Sequence, residues 1–73
     1  MEYFAVFRYN YFPFGKKREN LFFEKIEVYQ FNSADNEEAK TEALNHKQIL
    51  EGSDRISKPE LELLVKGKAI FSS

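Results

Sequence analysis

The sequence predicts an α+β fold: a single small domain, ordered ββαβ, with a three-stranded antiparallel sheet and one helix packed on one face. Three observations predict it. Eleven of the twelve aromatic residues lie between Tyr3 and Phe31, in two segments dense in rings and branched side chains. Between Asp35 and Gly52 the apolar positions recur at helical spacing. From Glu60 to Lys66 apolar and charged residues alternate with the two-residue period of a half-buried strand.

The first strand is predicted over Tyr3 to Phe12, where aromatic and branched residues dominate. Proline, glycine and consecutive charges from Pro13 to Asn20 mark a loop, longer than a tight hairpin needs. Leu21 to Phe31 forms the second strand, pairing antiparallel with the first.

Helix signals are the strongest in the chain. Asp35 is placed to cap the first turn, Glu38 completes a capping box, and Glu37 adds negative charge at the positive end of the helix dipole. Ala39, Ala43, His46 and Leu50 then share one face, and two alanines there bring the helix close to a sheet of bulky rings. Gly52 is expected to end the helix in a left-handed conformation.

Residues 57–72 admit two readings. Ser57 and Glu60 around Pro59, with Gly67 beyond, also fit a short capped helix. The strand is preferred, because a two-stranded ribbon with one helix is marginal alone and a third strand makes a usable sheet. A right-handed crossover through the helix then brings strand three beside strand one and antiparallel to it.

All 73 residues fit one domain, near the lower limit for folding without staples. There is no cysteine, which removes disulfides and thiolate metal cages, and a single histidine argues against a histidine-based metal site. No cofactor is expected: Gly15, Gly52 and Gly67 are isolated, so no phosphate-cradling loop is present, and the spacing of a calcium loop is absent. Net charge is −1, which argues against a general polyanion binder. That total hides segregation, with +2 over residues 1–20 and −4 over residues 33–54. No apolar run is long enough to span a membrane and no signal peptide is legible, so a cytoplasmic protein is the simplest reading.

An enzyme is not expected. Ser-based catalysis needs an activating base, and the one imidazole, His46, falls on the apolar helix face as a packing residue. Glu37 and Glu38 cap a helix start, and Glu60 and Glu62 point to one strand face toward water. Neither pair offers the one desolvated and one ionised carboxyl that acid–base work requires.

The sheet is where function is expected. One helix covers one face, so bulky apolar groups remain on the other, and an exposed patch of that kind marks an interface. The expected protein-binding residues are Tyr3, Phe7, Tyr9 and Tyr11 on the first strand, Phe14 in the loop, and Phe23 and Tyr29 on the second strand. The partner is a protein, either a second copy in a homodimer or a larger complex. The alternative is single-stranded nucleic acid, stacked on the rings and attracted by Arg8, Lys16, Lys17 and Arg18. A short, cysteine-free, aromatic-rich domain without catalytic residues resembles, in general character, the small inhibitors and adaptors that phages and mobile elements encode. That likeness implies a module that modulates a larger assembly, such as a host-defence complex.

Overall fold

A computed structural model describes residues 1–17 and 21–67. The order is ββαβ: β1 (Glu2–Tyr11), β2 (Phe23–Asn32), α1 (Asn36–Glu51) and β3 (Ile56–Lys66). The sheet runs β2-β1-β3, and both outer strands are antiparallel to β1. Residues 57–66 are therefore strand; residues 68–72 of the predicted final element and Arg18 lie outside the described residues.

β1 and β2 pair without interruption, from Glu2 opposite Asn32 to Tyr11 opposite Phe23. Alternation of side chains across a strand then sorts the sheet into two rows. Tyr3, Ala5, Phe7 and Tyr9 form the row beneath the helix, and all four are buried. Phe4, Val6, Arg8 and Asn10 form the opposite row.

β3 pairs less regularly. Its register with β1 shifts twice, between Val6 and Phe7 and between Arg8 and Asn10. Lys58 adopts a left-handed backbone conformation (φ 54°) next to Pro59, and the two residues break the ladder where the second shift occurs.

The helix forms where the capping signals predict. The Asp35 carboxylate accepts a 2.9 Å hydrogen bond from the Glu38 amide, and Glu37 and Glu38 lie in the first turn. Ala39 and Ala43 have no exposed surface and Leu50 is buried, so the helix rests closely on β1 and β3. Phe7, wholly enclosed, sits at the centre of a core completed by Ala5, Tyr9, Ala43, Leu50 and Ile56. The helix does end at Gly52, but in a right-handed conformation (φ −78°) rather than the left-handed one expected. Its N–H stays within reach of the Gln48 and Ile49 carbonyls, so the last turn closes without a reversal.

A glycine is required elsewhere. Gly15 has φ 88°, and a Cβ there would lie 2.8 Å from the Asp54 carboxylate. That tight approach lets the Phe12 and Lys16 amides donate to the Arg55 and Asp54 carbonyls, fastening the loop after β1 to the turn before β3.

Candidate functional site

Three neighbouring rows build the face away from the helix. Val6 stands between Val28 on β2 and Leu63 on β3. Phe4 stands beside Val65, and Ile26 lies beside Arg8. Ile26 and Leu63 remain 60% and 49% exposed, whereas Phe4, Val6, Val28 and Val65 are half-buried by one another. The helix packs on the opposite side, against Ala5, Phe7 and Tyr9. Among the described residues the helix covers one face of the sheet and leaves this apolar strip open.

A charged bar closes the strip at one end. Arg8 reaches Glu62 on β3 at 3.3 Å and Glu24 on β2 at 3.9 Å, so one guanidinium joins all three strands. These groups are substantially exposed, and solvent screening keeps each contact worth well under about 1 kcal/mol. Their effect is on the surface character: one cation lies between two carboxylates, a net charge of −1 at the end of a strip that itself holds no charged group.

The expected binding residues divide sharply. Tyr3, Phe7 and Tyr9 are withdrawn from any docking surface, because their row is the one the helix covers. The reason is volume: Ala5 and Ala43 bring sheet and helix together on that side, and the rings around them become core. Tyr11 and Tyr29 are half-buried on the same side. Phe14 (63% exposed) and Phe23 (51%) are accessible, but at the loop end, where Phe23 leans on the Tyr11 ring. Of the residues expected to attract nucleic acid, Arg8 is held by its two carboxylates and Lys16 is half-buried beside the Asp54 turn. Lys17 alone is an exposed basic residue of the described loop tip. The face that carries the site is the even-numbered row of β1 and β2 with Leu63 and Val65 of β3, which sequence reasoning had not chosen. A signal for it existed, since a row centred on Arg8 and Asn10 is a poor core.

Beneath the helix lies a polar cluster that the sequence analysis did not anticipate. Glu27, in the middle of β2, accepts from the Tyr9 hydroxyl at 3.0 Å and meets His46 Nε2 at 2.6 Å. The His46 ring stacks on Tyr29 at 4.0 Å and packs against Phe7, while the Tyr29 hydroxyl donates to Glu42 at 2.7 Å. His46 is thus a packing residue, as expected, and also the tie between the helix and β2. A carboxylate inside an inward-facing row needs such partners, so Glu27 beside Tyr9 was the legible clue.

The chain matches no protein-family model, no curated protein and no solved structure. No helix among the described residues is long and apolar enough to cross a membrane.

The cluster has a consequence in alkali. Burial, then the hydrogen bond to Glu27, pushes the Tyr9 hydroxyl up from 10.0 to about 12, and the bond to Glu42 raises Tyr29 in the same direction. A raised folded-state value favours the protonated form. The stabilisation is therefore complete below pH 10 and disappears as pH rises through about 12. For Tyr9 the full loss is about 2–3 kcal/mol. Urea midpoints taken along that range should fall steeply for the wild type and less steeply for Tyr9→Phe; parallel curves would remove Tyr9 as the cause.

Proposed function

We propose that this chain is a non-enzymatic binding module that docks a protein partner through the helix-free face of its sheet. One observation carries the reading: a strip from Ile26 and Val28 through Val6 and Phe4 to Leu63 and Val65 is apolar and contiguous and, among the described residues, open to solvent at Ile26 and Leu63. Apolar side chains cluster in this way on a surface when a partner removes them from water. Arg8, Glu24 and Glu62 place both signs at its end, with a net charge of −1 on exposed groups, which suits the hydrated polar rim of a protein interface. A module of this size acts as an inhibitor or adaptor of a larger assembly, because it offers a surface and little else.

The test compares affinity capture by the wild type and by the double variant Ile26→Glu/Leu63→Glu, quantified by mass spectrometry. Both positions are outside the core, so the variant should keep the wild-type circular dichroism and denaturation midpoint within about 0.5 kcal/mol. A discrete set of proteins held by the wild type should be absent from the variant. Identical captures would end the reading. Single-stranded oligonucleotide at low salt forms a second arm, where no binding is expected. Affinity that falls steeply with salt, on a slope flattened by Lys16→Ala/Lys17→Ala, would assign the surface to nucleic acid instead.

A further inference from the structure

The two edges of the sheet are built differently. β3 is blunted by Pro59, by the left-handed Lys58 and by two register shifts, all devices that discourage another strand from adding there. β2 has none of them: ten residues pair with β1 in unbroken register, with no proline inside the strand.

The direction of its outer hydrogen-bonding groups follows from one pair. Met1 and Ser33 exchange both backbone bonds, at 2.9 and 3.0 Å, so they form a hydrogen-bonded pair at the start of the ladder. Such pairs alternate along an antiparallel ladder. The odd-numbered residues of β2 therefore bond to β1, and Glu24, Ile26 and Val28 point their N–H and C=O groups outward. The helix backbone lies over β1 and β3, and its side chains reach β2 from one side of the sheet, at Glu27 and Tyr29.

We infer that the outer edge of β2 pairs antiparallel with the β2 edge of a second copy, about a two-fold axis at Ile26. The occupant is selected by charge. With the axis at Ile26, Lys25 faces Glu27 of the partner strand, and the same contact recurs on the other side of the axis. Phe23 likewise faces Tyr29 twice. Moving the axis by one residue places Lys25 against Lys25 or Glu27 against Glu27, and like charges directly opposite destabilise a pair. The side chains of Lys25 and Glu27 point to the same side of the sheet, as cross-strand partners must. Among these neighbouring registers, only the one centred on Ile26 is complementary in charge. The product is a continuous six-stranded sheet with both helices on one side and both uncovered strips joined on the other.

This association uses the strand edge and goes beyond the docking face proposed above; Ile26 belongs to both, so the two are told apart at Lys25, which only the edge uses. Lys25 lies on the helix side, and Lys25→Glu leaves the uncovered face intact. Light scattering across a concentration series should show the wild type passing from one copy to two. Lys25→Glu should weaken that association on the order of tenfold or more, because two attractive pairs become repulsive. Glu27→Lys alone should do the same, and mixing the two variants should restore a mixed dimer, since acidic residues then meet basic ones at both positions. A wild type that stays monomeric, a dimer indifferent to Lys25→Glu, or variants that do not recover on mixing would each overturn the inference.

Glu27 also holds Tyr9 and His46, so a second measurement covers a Glu27→Lys chain that does not fold. The protein has no cysteine, and Ile26→Cys places one thiol beside its symmetry mate. Hydrogen-bonded cross-strand pairs sit about 5.5 Å apart at Cα, within disulfide reach. Oxidation should link Ile26→Cys chains and leave Leu63→Cys chains unlinked. No link at position 26, or equal linking at both positions, would overturn edge pairing.

Discussion

Phe7→Ala is expected to remove most or all of the stability of this domain. Phe7 has no exposed surface and touches the His46 ring at 5.1 Å in the centre of the only core cluster among the described residues. Truncating a buried phenylalanine costs about 3–5 kcal/mol, from lost burial and from the cavity left behind. A domain of this length holds roughly 4–11 kcal/mol in total. With neither disulfide nor cysteine in the chain, no staple offsets the loss. Urea denaturation followed by circular dichroism should show a transition displaced to very low denaturant or no folded baseline. Phe14→Ala, at a ring 63% exposed, should be nearly neutral and serves as the control. A modest effect of Phe7→Ala would mean that the core is elsewhere.

The second large effect is expected from adding volume rather than removing it. Ala43 is fully enclosed between the helix and the sheet, in the same cluster as Ala5 and Phe7. Ala43→Leu keeps helix propensity but inserts three carbons where no space exists, at a cost of about 1–3 kcal/mol. The strain should be relieved by lifting the helix. That movement would separate His46 from Glu27, now 2.6 Å apart, and Tyr29 from Glu42, now 2.7 Å apart. The expected signature is a lower midpoint together with changed tyrosine near-ultraviolet circular dichroism. A variant as stable as the wild type, with unchanged aromatic signals, would contradict the close helix–sheet approach.

These two residues also mark what could be read from sequence. The helix was legible because its signals are local: Asp35 caps it, Glu37 and Glu38 follow, and Ala39, Ala43, His46 and Leu50 recur on one side. Close packing followed from the two alanines. The third strand was legible from the alternation of Leu61 and Leu63 with Glu60 and Glu62, but the shift between Val6 and Phe7 puts Leu61 beside Phe7 on the helix side and Leu63 and Val65 on the open side, which the alternation does not show. The choice of sheet face was misread for Tyr3, Phe7 and Tyr9. Both rows of β1 are rich in apolar groups, and tyrosine hydroxyls looked suited to a wet surface. Inside the fold those hydroxyls are satisfied instead, Tyr3 by Asn36 at 2.8 Å and Tyr9 by Glu27 at 3.0 Å. Such long-range partners, 33 and 18 residues away, leave no local trace in the sequence.

Misassigning the face did not remove the asymmetry on which the proposed function depends. A sheet of three strands has two sides, and a single helix shields only the side of Tyr3, Ala5, Phe7 and Tyr9. The row of Phe4 and Val6, with Ile26, Val28, Leu63 and Val65, stays on the outside of a thin molecule, 14 Å across its shortest dimension at Cα.

Hydroxyl-radical footprinting of the chain, alone and in the complex retrieved by capture, tests this most directly. Alone, Ile26 and Leu63 should be labelled readily, with Tyr3, Phe7 and Tyr9 left unlabelled; in the complex Ile26 and Leu63 should become protected. Protection confined to the outer side of the helix, at Leu44 and Ile49, or an Ile26 strip already shielded in the lone chain, would contradict the account.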